Sequence, residues 1–164
     1  MGHNKRLMNC RFVDTDDLIQ NRAARTISEI FEVDGEEHFR RLEYECVVEV
    51  ARQKDLVVAL GGGAVTQERV RDAIRDTGGI LVCLAADVDT ILKRVSRKET
   101  RPMLAGLDLS QKRQKIVSML AERAPYYALA DVTFRSAAEV SPEDSAQQLF
   151  DLLARQQYRC GPLN

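Results

Sequence analysis

Leu56-Val57-Val58-Ala59-Leu60-Gly61-Gly62-Gly63 is a continuous apolar run closed by three glycines. The run is too short for a helix, and with glycine ending it the stretch reads as a strand buried on both faces of a parallel sheet. The end of such a strand is where an open parallel sheet meets its ligands. Glycine there lets the backbone come close to a ligand and offer N–H groups, although a flexible turn has the same composition. Without an acidic fingerprint or G-x-G-x-x-G spacing, the triplet alone names no ligand.

Upstream, Glu36 to about Gln53 has helical spacing, with Phe39, Leu42, Cys46, Val47 and Val50 on one face. A preceding helical pattern from Thr26 (Ile27, Ile30, Phe31) breaks at Asp34-Gly35. Before it, Arg11-Phe12-Val13 is strand-like and runs into Asp14-Thr15-Asp16-Asp17, where Asp16 or Asp17 is placed to cap the next helix. Downstream, Glu68 to Thr77 reads as a helix stopped by Gly78-Gly79, and Ile80 to Leu84 as a second buried strand, expected side by side with the first or nearly so. Helices follow at Asp87 to Val95 and Leu109 to Ala121, then a strand at Asp131 to Phe134 and a closing helix at Pro142 to Arg155. Gln156 to Asn164 has no periodicity and is expected to be loose. This alternation predicts an α/β fold, a three-layer parallel sheet flanked by helices, in one domain spanning residues 1–164.

With 45% apolar residues the chain has enough to bury a core of ordinary size. A formal charge of -1 gives no global electrostatic ground for binding nucleic acid or an anionic membrane, so a charged ligand needs local clustering. No apolar run approaches the roughly 18 residues of a membrane span, and Met1 to Cys10 is too polar for a secretory signal, which predicts a cytoplasmic protein. Cys10, Cys46, Cys83 and Cys160 form no C-x-x-C pair and read as structural thiols, with no disulfide and no zinc site.

Two groups of residues carry candidate chemistry. Asp14 and Asp16, two apart at a strand end, point to one side if the backbone stays extended and can then orient a hydroxyl or a hydrated magnesium ion; the alternative is a helix cap with a solvated neighbour. Arg40, Arg101 and Arg123 are each by default surface residues. As a set they suit the bidentate grip of a carboxylate and the neutralisation of a phosphoryl group.

The order of these pieces is decisive. Phe12-Val13-Asp14-Thr15-Asp16, Ile27-Ser28-Glu29-Ile30-Phe31, Gly35-Glu36, Phe39-Arg40-Arg41-Leu42-Glu43, Gly61-Gly62-Gly63, Thr100-Arg101-Pro102-Met103-Leu104 and Arg123-Ala124-Pro125-Tyr126-Tyr127 resemble, in sequence and spacing, the motif series of shikimate kinases from Phe12 to about Leu153. The resemblance implies a P-loop kinase-like fold and ATP-dependent phosphorylation of the shikimate 3-hydroxyl, a step toward chorismate and the aromatic amino acids. It implies that Asp16 binds the shikimate hydroxyls and orients or takes the attacking proton, and that Asp14 lies near the magnesium shell. Arg40 and Arg123 are implied to grip the shikimate carboxylate, with Gly61, Gly62 and Gly63 against the ring. Arg101 is implied to stabilise the transferring phosphoryl group from a lid over about residues 98–109, and Arg94 to pack beside adenine. ATP and Mg2+ are thus the implied cofactors. Such roles suit phosphoryl transfer, which depends on alignment and charge neutralisation more than on covalent help.

The beginning departs from that pattern. The family opens with a strand, a G-x-x-x-x-G-K-[ST] loop and a full helix before the D-T-D strand, whereas here only Arg6 to Arg11 separate Lys5 from Phe12. Residues 1–11 are expected to be a truncated N-terminus, with Gly2 to Lys5 a remnant of the loop or Lys5-Arg6-Leu7 the tail of the helix. A sheet short of an inner strand is expected to recruit a rearranged N-terminus, a partner chain or a second copy. Two other functions fit the same residues: a shikimate-binding or scaffold protein that keeps only the acceptor half-site, and a kinase for a related small polyol or acid. Arg40 and Arg123 argue against a neutral sugar.

Overall fold

A computed structural model describes residues 10–95, 104, 106–135, 140–156 and 158. In chain order the elements are β1 (Arg11–Asp14), α1 (Thr15–Ala23), α2 (Ile27–Ala51), β2 (Leu56–Ala59), a 3-10 turn (Ala64–Thr66), α3 (Glu68–Asp76), β3 (Val82–Ala85), α4 (Val88–Val95), α5 (Leu109–Tyr127), β4 (Val132–Arg135) and α6 (Pro142–Arg155). Arg101 and most of the expected lid lie outside the described residues, as do Gly2 to Lys5.

The fold is α/β with parallel strands, but the two buried runs do not pair with each other. β1 pairs with β2, Phe12 opposite Val57 and Asp14 opposite Ala59, and β3 pairs with β4, Cys83 opposite Thr133. Among the described residues these are two separate two-stranded sheets, so β2 and β3 each have one hydrogen-bonded neighbour where a central strand has two. For the same reason the expected burial is incomplete. All four residues of β2 are half-buried, and Leu84 in β3 is 66% exposed.

The helices follow their local signals. Thr26 and Glu29 form a capping box at the start of α2, and Gly35 (φ 80, ψ 174) breaks its helical backbone where Asp34-Gly35 was read as a stop, a conformation that glycine adopts freely. The predicted apolar face of α2 is buried. Phe39 and Cys46 pack with Ile19 of α1 and Ile30, and Val47 packs with Ala64 and Val70 on the other side. Ile19 is wholly enclosed, and its truncation to Ala is worth about 2–5 kcal/mol. A third cluster joins Val132 of β4 to Leu149 and Leu153 of α6, and Tyr158 of the expected loose tail packs on it.

Three expectations are corrected. Asp14, not Asp16 or Asp17, caps α1: its side chain accepts the Asp16 N–H at 2.9 Å, and the chain is already helical at Asp16. α5 runs six residues past Ala121 with Pro125 in its last turn, so Arg123 and Tyr127 stand on a helix. Cys10 is buried and disulfide-bonded, while Cys46 and Cys83 are free. No helix of the described residues is long and apolar enough to cross a membrane.

Candidate active site

Strand β2 delivers Gly61, Gly62 and Gly63 to the point where α1, α2 and α5 converge. Each glycine faces a different charged or polar group, and the space needed by a side chain at each is already taken. A methyl on Gly61 would lie 2.9 Å from Oε1 of Glu43 and 3.1 Å from Oδ1 of Asp16. On Gly62 it would lie 3.2 Å from Nη1 of Arg123 and 3.3 Å from the Tyr127 hydroxyl, and on Gly63 only 2.6 Å from Nη1 of Arg40. Asp16, Arg40 and Arg123 therefore meet at the glycine triplet. The glycines serve here as space for other side chains, since none of the three has a positive φ.

Arg40 is held in place before any ligand arrives. Its Nη1 donates to Oε2 of Glu43 at 2.8 Å, while Nε and Nη2 donate to Oε1 of Glu36 at 3.3 and 3.1 Å. A guanidinium has five N–H groups, so one on each terminal nitrogen is left for a ligand on the Gly63 side. Burial opposes the Arg40 charge, but the hydrogen bond and charge of Glu43, joined by those of Glu36, more than offset it and raise its pKa. Arg123 is half-buried, and among the described residues no carboxylate pairs with it.

Glu43 is the acidic centre of this arrangement. It is fully buried, and its Oε2 also accepts Nε2 of Gln67 at 2.9 Å. Burial pushes its carboxyl above the usual range, Arg40 pulls it back, and the nearby charge of Asp16 pushes it up again; the net direction is upward. The sequence carried a signal that went unused. Glu43 lies one helical turn from both Phe39 and Val47, inside the apolar stripe of α2, where a lone carboxylate needs a partner. Tyr127, the other residue missed, donates its hydroxyl to the Gly62 carbonyl at 2.9 Å and so ties α5 to the triplet. Thr15 ties the ends of the first two strands together by donating to the Ala59 carbonyl at 3.2 Å.

The residues expected to face ATP and magnesium are less well connected. Arg94 stands exposed on α4, and no hydrogen bond or ion pair among the described residues joins it to the cluster. Asp14 has one oxygen engaged in capping α1, and the described residues contain no group of three metal-ligating side chains. One carboxylate beside the site fits an ion such as Mg2+, which keeps several waters and takes further ligands from substrate phosphates.

The sequence model of the shikimate kinase family matches residues 5–154. The chain belongs to the shikimate kinase family. Curated shikimate kinases resemble it over most of its length. That of Thermoanaerobacter pseudethanolicus is 34% identical, with 90% of this chain and 84% of the relative covered, and that of Gloeobacter violaceus is 42% identical over 88% and 78%. Among solved structures, the shikimate kinase of Acinetobacter baumannii in complex with shikimate superposes with a TM-score of 0.87 at 32% identity, covering 96% of this chain and 86% of that one. The shikimate kinase of Bacteroides thetaiotaomicron gives 0.84 at 33% identity, covering 92% and 88%. Membership makes the protein a phosphotransferase of the shikimate pathway.

Proposed function

We propose that this chain transfers the γ-phosphoryl group of ATP to the 3-hydroxyl of shikimate and that the glycine-triplet cluster is its acceptor site. The observation that carries the reading is the meeting of Arg40, Arg123 and Asp16 over Gly61 to Gly63: two cations to grip a carboxylate and one carboxylate to receive hydroxyl protons. Arg40, oriented by Glu43, and Arg123, without a carboxylate partner among the described residues, grip the shikimate carboxylate. Asp16 accepts hydrogen bonds from the ring hydroxyls and orients or takes the proton of the attacking one. The backbone N–H groups of the triplet line the ring. In-line attack is then a matter of alignment, the largest contribution a protein makes to this chemistry.

On the donor side the reading assigns Asp14 to the surroundings of a hydrated Mg2+, Arg94 to adenine, and Arg101 to the phosphoryl group from the lid over about residues 98–109. When bound, the magnesium ion neutralises phosphate charge. Cytoplasm, where ATP is abundant, is the proposed setting. A further strand docked between β2 and β3, from a second copy or a partner chain, is the proposed completion of the sheet, supported by the open second edge of each among the described residues. A monomeric mass in light scattering, with full folding cooperativity, would argue against that docking.

Phosphorus NMR of a reaction with shikimate and millimolar magnesium-ATP tests the reaction. The expected product is a 3-phosphate ester that disappears with Asp16→Asn. An ester formed as readily on a neutral polyol would overturn the substrate assignment.

A further inference from the structure

Arg71, one turn into α3, is 9% exposed, and among the described residues no carboxylate pairs with it. Its Nε is buried, with no hydrogen-bond partner among the described residues. A buried cation near a helix N-terminus opposes the helix dipole, and an unpaired buried N–H adds a desolvation cost. Stability alone does not favour such a residue, and rule-breaking positions of this kind concentrate at functional sites.

The contacts Arg71 does make show what it holds. Nη1 donates to the Val65 carbonyl at 2.6 Å, inside the 3-10 turn that continues directly from Gly63. The guanidinium carbon sits 5.5 Å from the ring centre of Tyr126 on α5, between Arg123 and Tyr127 in sequence. One side chain thus grips the far end of the glycine loop and the helix that brings Arg123 and the Tyr127 hydroxyl to Gly62.

We propose that Arg71 is a positioning residue for the acceptor site: it bolts the turn after the glycine triplet to α5 and so sets the separation between Gly62 and Arg123. This deepens the acceptor-site reading and rests on it. Arg71 touches no reacting atom; it acts through Val65 and Tyr126. Removing it lets α5 shift outward, and the grip on the substrate carboxylate loosens while Asp16 and Arg40, held by other elements, stay in place.

The test combines steady-state kinetics and shikimate titration with amide hydrogen exchange on Arg71→Met, Arg71→Lys and Tyr126→Leu, all checked for folding by circular dichroism. Arg71→Met is expected to raise the KM and Kd for shikimate about tenfold, with kcat and the KM for ATP changed less than threefold. Arg71→Lys, which keeps a donor for Val65, is expected to recover part of the loss. In an Arg123→Met background the same change is expected to cost no further affinity. Exchange at the amides of Gly62 to Val65 and of Arg123, Ala124, residue 126 and Tyr127 is expected to quicken in Arg71→Met and Tyr126→Leu without ligand. Unchanged exchange there in a folded variant, or an effect on shikimate binding additive with Arg123→Met, overturns the proposal. If the unaltered chain binds no shikimate, the acceptor-site reading fails, while the exchange rates still decide whether Arg71 holds the loop to α5.

Discussion

Glu43 takes Nη1 of Arg40 at 2.8 Å on one carboxylate oxygen, while its other oxygen, fully buried and without a hydrogen-bond partner among the described residues, faces Asp16 across Gly61. The pairing explains how a carboxylate can occupy the apolar stripe of α2, and it sets a sign for pH dependence. The Glu43 pKa is raised in the folded state, chiefly by burial, above its ordinary 4.5. Between that value and its raised one the native state holds more protons at this site than the unfolded chain, so the contribution of Glu43 to stability falls as pH rises. Urea denaturation across this window is expected to shift the stability difference in favour of Glu43→Gln over the original chain as pH rises. A shift the other way would mean that Arg40, not burial, dominates Glu43.

Gly63→Ala is expected to weaken shikimate binding at least tenfold, about 1.4 kcal/mol, because the new methyl meets the Arg40 guanidinium, which Glu36 and Glu43 hold from the other side. Gly62→Ala is expected to cost less, since its contacts of 3.2 and 3.3 Å need only a few tenths of an ångström to give. Calorimetric titration of both variants checks the order. Equal losses would show that the glycines matter for backbone conformation and not for space.

Much of this was legible in the sequence. The five-residue apolar run with its glycines marked the point where Asp16, Arg40 and Arg123 meet, and the spacing of Phe39, Cys46, Val47 and Val50 marked the buried face of α2. The cap on α1 was assigned two or three residues late, because an Asp in the strand's last position and an Asp in the helix's first turn look alike without the backbone. The end of α5 was missed because Pro125 reads as a helix breaker, yet the helix runs through it to Tyr127. Side-by-side placement did not follow from the apolar runs of β2 and β3, since such a run says that a strand is buried and is silent on its neighbour; the signal for their separation was the inner strand missing from the family pattern.

Tyr127→Phe removes one hydrogen bond, from the hydroxyl to the Gly62 carbonyl, and leaves the ring in place. It is expected to cost about 1 kcal/mol of stability and a severalfold loss of shikimate affinity. Thermal denaturation and titration together check this. Loss of stability with unchanged affinity would confine Tyr127 to a structural role.

Arg123→Met is expected to cost about 1.5–3 kcal/mol of shikimate binding, the worth of a charged hydrogen bond. With an analogue lacking the carboxylate the same substitution is expected to have almost no effect. A loss of equal size for both ligands would show that Arg123 does not grip the carboxylate.

The 164 residues contain no G-x-x-x-x-G-K-[ST] loop, the feature that cradles nucleotide phosphates with backbone N–H groups, a lysine and a magnesium-binding hydroxyl. For this chain, half-saturation is therefore expected at a much lower concentration of shikimate than of magnesium-ATP. Tight magnesium-ATP binding would show that another segment supplies the phosphate site.

Asp16, Arg40 and Arg123 are expected to hold shikimate together over the glycine triplet, and amide NMR of the labelled chain during a shikimate titration decides whether they do. The expected result is that the amide signals of Gly61, Gly62 and Gly63 move together and saturably, to one shikimate per chain, and that Arg40→Met abolishes the movement. Saturable binding that leaves all three glycine amides where they were, or no binding at millimolar shikimate by the folded chain, would contradict it.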